Sequence, residues 1–440
     1  MNKIIEIAKE IKEQGGTAFI VGGFVRDMIL KRKSKDIDVE VFGLDADALV
    51  AILERHGDVV KCGASFGVFK LGEYDFALPR TEKKVGNKHV DFEVIANPHM
   101  PKHEASLRRD LTINALMFNP LTGEVIDNHN GLAHLEEGII KHVNDATFAE
   151  DALRILRVAQ FSARFNFGVH EDTKELCVKL LPELQYISKE RFMIEIEKIL
   201  MKSENPSIAF RFMNEIGLLE LFFPELHTLV GIEQGKKHHP EGNVFEHTML
   251  ALDSVPMNER ELDIMLAILV HDMGKAVVTV ERESDEVIHF FGHAEEGEAP
   301  VRSFMSRITN DLALIEKVVT LTKFHMRAYD FKSKLDRRSL RRLALKVSIP
   351  DLMKVHIADK RGRLNNAPEL SYVEAILSLH EDIANEIKPI IKGRDLINLG
   401  LMPSKEFKAI LAQVFEAQLE DEFSSHEEGV EFTKVMLGLA

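Results

Sequence analysis

The chain has 440 residues, 45% of them hydrophobic and 29% charged, and a formal net charge of −15; that length points to several domains and that composition to a folded, soluble protein. The acidic balance argues against nonspecific nucleic-acid binding over the whole surface. Two cysteines are too few for a disulfide framework or a CxxC metal site and make a reducing cytoplasm the default, and no apolar run approaches the roughly 18 residues that span a membrane.

Residues 1–16, MNKIIEIAKEIKEQGG, have the spacing of a short amphipathic helix and not of a signal peptide. From about Thr17 to Asp127 strands alternate with helices. The first apolar strand runs into Gly22, Gly23 and Arg26, in FIVGGFVRDMIL. Two glycines at a strand-to-helix turn let the backbone approach a phosphate, and Arg26 is spaced to clamp it. The next apolar run, DIDVEVF, carries Asp36 and Asp38 at i, i+2. Strand side chains alternate, so both carboxylates share one face while Ile37, Val39 and Val41 share the other. Paired carboxylates beside a phosphate-holding loop suit two Mg²⁺ ions and a nucleoside triphosphate, the apparatus of nucleotidyl transfer. Alone, the pair reads equally well as a solvated strand face. Asp45–His56 reads as a capped helix, and VFKLGEYDFALPRTE and KHVDFEVIA as strands. In RRDLTINAL, Arg109 can reach a triphosphate or sugar and Asp110 can cap a helix; a capped helix with exposed arginines has the same pattern.

From about Thr147 the periodicity turns helical. Residues 150–165, EDALRILRVAQFSARF, place Asp151 and Arg154 three apart on one helix surface, with Arg157 a turn further on. A carboxylate accepts from the exocyclic amine of cytosine or adenine, and an arginine donates to cytosine N3 or adenine N1. Uracil and guanine present the opposite pattern. An intrahelical salt bridge accounts for the same spacing. Beyond an expected joint at 231–242, His247 in FEHTML, His271 and Asp272 in LAILVHDMGKA, and Asp359 in HIADKRGR make a mixed nitrogen and oxygen ligand set on helices, with Lys275 spaced to hold a phosphate. The basic runs at 31–35 and 332–346 are either solvated faces or phosphate-contacting patches on an otherwise acidic chain. Residues 392–420 read as two helices about a Pro-Ser turn, with Ser404 as a cap.

GGFVRD, DID, RRDLTINAL and EDALRILR follow one another over about 140 residues. In this order they resemble the head and neck motifs of class II tRNA nucleotidyltransferases, the CCA-adding family that shares its head with bacterial poly(A) polymerases. The resemblance implies that Asp36 and Asp38 bind catalytic metals and that Asp75, five residues before Arg80, completes the site. It implies that Asp151 and Arg154 read the incoming base. It also implies a flexible element at VGNKH that lets the pocket change from CTP to ATP; its length favours CCA or A addition over CC addition alone. Gln160 stands where several relatives carry a third arginine. The HDMGK region resembles HD-domain phosphohydrolases, and the HD domain fused to such heads in a subset of bacterial CCA-adding enzymes. His293 and His325 match positions that bind a second metal in binuclear HD enzymes. The implied reaction there is metal-dependent hydrolysis of phosphomonoesters or cyclic phosphodiesters, with Ni²⁺, Co²⁺, Mn²⁺ or Mg²⁺.

The expectation is an α+β chain: a nucleotidyltransferase head with a mixed sheet at 1–145, a helical neck and body at 146–235, an HD domain at 236–364 and a helical tail at 365–440. Its expected activity is template-independent addition of C, C and A to the tRNA 3′ end from CTP and ATP, with Mg²⁺, in the cytoplasm and without an obligatory protein partner. The competing readings are an A-adding enzyme, a poly(A) polymerase, an HD phosphohydrolase whose head senses nucleotides, and an inactive RNA-binding scaffold. A poly(A) polymerase usually has a strongly basic tail, which the acidic EDEFSSHEEG stretch lacks.

Overall fold

The computed structural model describes residues 2–34, 36–62, 67–84, 92–284, 286–364, 369–384 and 386–439. The VGNKH element at 85–89 and the joint expected at 365–368 lie outside the described residues, as does Lys35 of the first basic run. The chain divides into two compact units, Met1–Pro224 and Glu225–Ala440.

In the first unit, helix Asn2–Glu13 buries Ile4, Ile7, Ala8 and Ile11, one face of a 3.6-residue repeat. The strands are β1 (Thr17–Val21), β2 (Ile37–Phe42), β3 (Val60–Cys62), β4 (Val68–Leu71), β5 (Tyr74–Ala77), β6 (Arg80–Lys84), β7 (Phe92–Ala96), β8 (Met117–Phe118) and β9 (Val125–Ile126). Seven of them form one sheet in the order β3-β4-β5-β2-β1-β8-β9. β2 lies inside it, antiparallel to β1 and parallel to β5, so the sheet is mixed. VFKLGEYDFALPRTE is not one strand but β4, β5 and the start of β6. Gly72, at φ 61°, turns the chain after β4, and beyond Pro79 β6 leaves the sheet to pair with β7. Asp45 caps helix Ala46–Leu53 by accepting the Ala48 N–H at 2.9 Å.

The neck helix starts later than its periodicity predicts. A short helix, Asp145–Phe148, ends first, and the long one spans Leu153–Phe165. Asp151 therefore lies outside it and accepts the Leu153 N–H at 3.1 Å, a local side-chain bond that competes with helix continuation. Asn166, at φ 58°, ends the helix. It packs against helices Lys189–Lys202 and Ser207–Glu215.

The second unit is helical apart from the hairpin Glu281–Arg282 with Ile288–His289 among its described residues. Helices Val244–Asp253, Leu312–Phe324 and Ile349–Arg361 pack on Leu262–Val270, which buries every residue from Ile264 to Val270. A Cβ on Gly362 would lie 2.8 Å from the Ala251 backbone nitrogen, so the first and last of these helices meet backbone to backbone. No helix among the described residues is long and apolar enough to cross a membrane.

The basic run at 332–346 is largely exposed, as a solvated face, but the arginines of its helix are not free. Its helix, Arg337–Ala344, is paired with acids of the tail. Arg337 bonds Glu386, Arg338 bonds Asp421 at 2.9 Å, Arg342 bonds Glu420, and the buried Arg341 reaches Asp421 at 2.5 Å and Glu386 at 3.3 Å. The tail adds a small core of Ile391, Val414 and Phe423. Exposed pairs contribute little and are screened by salt, whereas Arg341 is enclosed. Arg341→Ala is expected to cost about 1–2 kcal/mol locally, opening the tail about 5–30-fold more often. Proteolysis in native buffer should then cleave the tail that much faster.

Candidate active site and metal centre

β2 sets the head site. Its register puts Asp38 opposite Val21 on β1 and opposite Asp75 on β5, so two carboxylates from neighbouring strands stand side by side. Asp36 immediately precedes β2. The period-2 row continues to Glu40, which sequence reasoning missed although DIDVEV displays the alternation. Glu40 is buried, accepts from Arg108 Nη2 at 3.0 Å and has Arg109 Nη2 at 3.8 Å. Asp38, Glu40, Asp75, Arg80, Arg108 and Arg109 line a cavity of about 220 Å³. Gly22, at φ 72°, lies beside Asp38 and Arg109: a Cβ there would lie 3.2 Å from Arg109 Nη1 and 3.6 Å from Asp38 Oδ2. Loss of water around Asp38 raises its pKa; Arg109 opposes this, and the charges of Asp75 and Asp36 add to the rise. Asp38 and Asp75 set hard carboxylate oxygens side by side, the donor type that suits a divalent cation, with Lys70 Nζ 3.4 Å from Asp75 Oδ1 in this structure.

Arg26, Asp110 and Arg157 make their contacts within the protein. Arg26 is buried, with its guanidinium on Asp27 Oδ1 at 2.7 and 2.8 Å and on Asn114 Oδ1 at 2.5 Å, and with its Cζ 5.0 and 4.8 Å from the ring centroids of Phe161 and Phe165. It is turned into the protein and does not face the cavity as a phosphate clamp. Asp110 caps no helix. It accepts from Leu111 N–H, Asn114 Nδ2 and, at 2.6 Å, Arg157 Nε. Burial alone would raise its pKa, but Arg157 and Asn114 hold it at about 2. Arg164 adds a third tie, 3.7 Å from Asp27. Arg26, Asp110 and Arg157 thus bind the neck helix to the head, and Gly23 sits beside the Arg26 guanidinium.

Asp151 and Arg154 do not bond one another. Asp151 Oδ2 accepts from Arg191 Nη2 at 2.6 Å, a partner on another helix with no local sequence signal. Arg154 donates to the carbonyls of Thr147 at 2.7 Å and Arg108 at 2.9 Å. Gln160 is buried, and its Nε2 has no partner among the described residues.

In the second unit the residues expected from both readings converge. His247 lies on Val244–Asp253, His271 and Asp272 follow Leu262–Val270, His293 opens His293–Glu296, His325 follows Leu312–Phe324, and Asp359 lies on Ile349–Arg361. His247, His271 and Asp359 form one candidate ligand group, and Asp272, His293 and His325 another. Asp272 joins them: Oδ2 lies 3.3 Å from His271 Nε2 and 3.9 Å from His247 Nε2, and Oδ1 lies 3.4 Å from His293 Nε2 and 3.8 Å from His325 Nε2. His271, His293 and His325 each direct Nδ1 at the carbonyl three residues back, at 2.8, 2.7 and 2.6 Å. That bond places the proton on Nδ1 and leaves Nε2 as the ligand atom. His271 Nε2 is buried with no hydrogen-bond partner among the described residues. The donor set fits a pair of divalent ions. Gly274 is required, since a Cβ there would collide with the His293 carbonyl.

The segment expected as a joint at 231–242 is part of this centre. Glu241 Oε1 accepts from His239 Nδ1 at 2.9 Å and His247 Nδ1 at 2.8 Å. Burial alone would lower the His247 pKa, but Asp359 and Glu241 outweigh it and raise it. Burial takes His239 down to about 4. Lys275 Nζ bonds Asp272 Oδ2 and Gln234 Oε1, both at 2.7 Å. Tyr329 and Arg363 donate to Asp359 at 2.9 and 3.1 Å. Of these, HHPEG just before FEHTML was the readable signal; Tyr329 and Arg363 had none.

Residues 18–141 match the profile of the poly A polymerase head domain, and residues 166–229 that of a probable RNA and SrmB-binding site of polymerase A. A head of this kind implies a divalent metal. The "Multifunctional CCA protein" of Shewanella denitrificans is 32% identical over 89% of this chain and 98% of its own length. That of Pasteurella multocida is 33% identical over 78% of this chain and 84% of its own length. The CCA-adding enzyme of Bacillus stearothermophilus, solved in complex with CTP, shares the fold at TM-score 0.69 and 19% identity, covering 100% of this chain and 99% of that one. The chain is therefore an enzyme of the class II CCA-adding tRNA nucleotidyltransferase family, in the branch of the multifunctional CCA proteins.

Proposed function

We propose that this enzyme adds C, C and A in turn to the 3′ end of tRNA from CTP and ATP, without a nucleic-acid template, in the cytoplasm. The observation that carries the reading is Asp38 in register with Asp75, sharing one cavity with Arg109, with the Gly22 turn beside both Asp38 and Arg109. Asp36, Asp38 and Asp75 would hold divalent ions, Mg²⁺ in this reading, that make the RNA 3′-hydroxyl a better nucleophile and neutralise the leaving pyrophosphate. The 3′-oxygen attacks the α-phosphorus in line as the bond to pyrophosphate breaks. Arg109, steadied by Glu40, holds triphosphate oxygens, and Gly22 and Gly23 let the triphosphate approach the backbone.

Asp151 and Arg154 select the base. Asp151 keeps carboxylate lone pairs beyond its bonds to Leu153 and Arg191, and Arg154 keeps N–H groups beyond those given to two carbonyls. Cytosine and adenine complete both edges, whereas uracil and guanine leave them unpaired. The test is extension of tRNA transcripts ending at the discriminator base, after C and after CC, with each nucleotide alone and together. Three additions to the shortest transcript, stopping at CCA, are expected. Adenine added only to the CC-ended transcript would mean an A-adding enzyme, and long A tails a poly(A) polymerase. Asp151→Ala should lower discrimination against U and G at least about tenfold, the worth of one charge-assisted hydrogen bond; unchanged selectivity would remove the base-reading role.

The second centre, in the same proposal, hydrolyses phosphomonoesters or cyclic phosphodiesters. Ni²⁺, Co²⁺, Mn²⁺ or Mg²⁺ held by its histidines and aspartates would activate water and polarise the phosphoryl group. Lys275, now on Asp272, would turn to a phosphate oxygen once a cation takes over that carboxylate.

A further inference from the structure

The strand register of the head sheet sets one residue from each of five neighbouring strands in a line. Val21 on β1 pairs with Asp38 on β2, Asp38 with Asp75 on β5, Asp75 with Lys70 on β4, and Lys70 with Val60 on β3. Residues directly opposed in register point to one face of a sheet. The other face, with Val39, Phe69 and Phe76, is buried. At about 5 Å per strand, the line runs from the Gly22 turn past the two carboxylates to an exposed lysine and an exposed valine.

Lys70 Nζ lies 3.4 Å from Asp75 Oδ1, and the lysine side chain is 51% exposed. A lysine opposite an aspartate on antiparallel strands is ordinary, and such a pair contributes little. This one is loosely made: Asp75 Oδ1 is buried and has no hydrogen-bond partner among the described residues. It also engages a carboxylate that nucleotide addition commits to a cation. With Asp75 so committed, the ammonium loses its partner and is repelled by the positive charge beside it. It remains on the same face of the sheet, one strand further from Gly22 than Asp75 is.

The direction of the reaction decides which substrate lies there. In an in-line displacement the attacking oxygen and the leaving group stand on opposite sides of the α-phosphorus. Gly22 and Arg109 mark the triphosphate end, since a Cβ at Gly22 would lie 3.2 Å from Arg109 Nη1. The 3′-hydroxyl therefore reaches the α-phosphorus from the β5–β4 end of the line. The nucleotide that bears it brings a phosphodiester charge with it, and Lys70 is the cation of that line.

We infer that Lys70 binds the acceptor RNA, with its ammonium on the phosphodiester between the last two nucleotides, so that the terminal hydroxyl is held on the Asp75 side of the α-phosphate. The inference rests on the nucleotide-addition reading of the head.

Lys70→Met keeps an unbranched stem and removes the charge, and Lys70→Arg keeps the charge. Adenosine addition is measured on two CC-ended tRNAs, one with its normal last linkage and one with an uncharged methylphosphonate between the last two cytidines. Lys70→Met should raise KM for the normal tRNA about two- to fivefold, the worth of one exposed charge pair. It should reduce the slope of log KM against log salt by about 0.7, the share of one phosphate contact on a single strand. KM for ATP should not change, and Lys70→Arg should behave as wild type. The methylphosphonate should penalise the wild type by a similar factor and Lys70→Met not at all. An unchanged KM for tRNA, a rise in KM for ATP instead, or a methylphosphonate penalty undiminished in Lys70→Met overturns the contact. If the wild type extends neither tRNA, the addition reading fails, and fluorescence anisotropy of the same two RNAs decides the contact by itself. Weaker binding of the methylphosphonate RNA by the wild type and not by Lys70→Met upholds it; equal binding of both RNAs by the wild type overturns it.

Discussion

Asp38→Ala is expected to reduce addition of adenosine to a CC-ended tRNA by about three orders of magnitude or more, leaving the fold and the second centre intact. The carboxylate stands where β2 meets β5, with Asp75 beside it and Arg109 across the cavity. Charge stabilisation by a held cation is worth several kcal/mol in the transition state, and each 1.36 kcal/mol is a factor of ten, so about 4 kcal/mol gives about 10³. Stability should move the other way. Asp38 is crowded by protein and repelled by Asp75 and Asp36; removing it relieves that repulsion, so the thermal midpoint should hold or rise. Single-turnover extension and a melting curve read the two effects. A variant that kept a tenth of the wild-type rate, or lost its rate only by unfolding, would take Asp38 out of the catalytic site.

What the sequence made legible in the head were features whose meaning is local. A period-2 row of acids in an apolar strand and a Gly-Gly turn after a strand have a local geometry, and Asp38 and Glu40 of that row line the cavity while Gly22 lies beside Asp38. The chain partners of the charged residues were not local. Arg26 has the chemistry of a phosphate clamp and Asp110 that of a helix cap, yet their contacts go to Asn114, Phe161, Phe165 and Arg157, which lie up to 139 positions away. Periodicity cannot say which neighbour a guanidinium will meet. The start of the neck helix was misplaced for a related reason: EDAL has helical spacing, but the Asp151 side chain takes a backbone N–H and an arginine from another helix.

In the second unit the candidate ligands were legible because adjacent His271 and Asp272 interrupt an apolar helical run and further histidines and Asp359 stand in other helical runs. Their supports were less so. Glu241 lay in a glycine- and proline-containing run that looked like a linker, and Tyr329 and Arg363 matter only because Ile349–Arg361 brings Asp359 to them. The basic helix shows the limit of net charge as an argument. Its arginines looked available until the tail supplied Glu386, Glu420 and Asp421, acids too remote in the chain for any window to pair with them.

Asp272→Asn is expected to abolish hydrolysis at the second centre and to lower its bound metal, with nucleotide addition unchanged. Asp272 directs its two oxygens at different candidate ligand groups, Oδ2 toward His271 and His247 and Oδ1 toward His293 and His325. Losing it should weaken both halves, whereas His293→Ala should weaken one. The choice of asparagine matters. Lys275 is buried against the same carboxylate, and alanine would leave that ammonium with Gln234 alone, a loss that costs about 3–5 kcal/mol for an enclosed pair. Asparagine keeps an acceptor for Lys275 and the shape of the site, but offers the cation no negative charge. Metal content after dialysis, read by mass spectrometry beside a melting curve, separates the outcomes. A folded Asp272→Asn protein with depleted metal supports a bridging carboxylate. Full metal retention with lost hydrolysis would make Asp272 a group that orients substrate or water, and the ions would then rest on the histidines and Asp359.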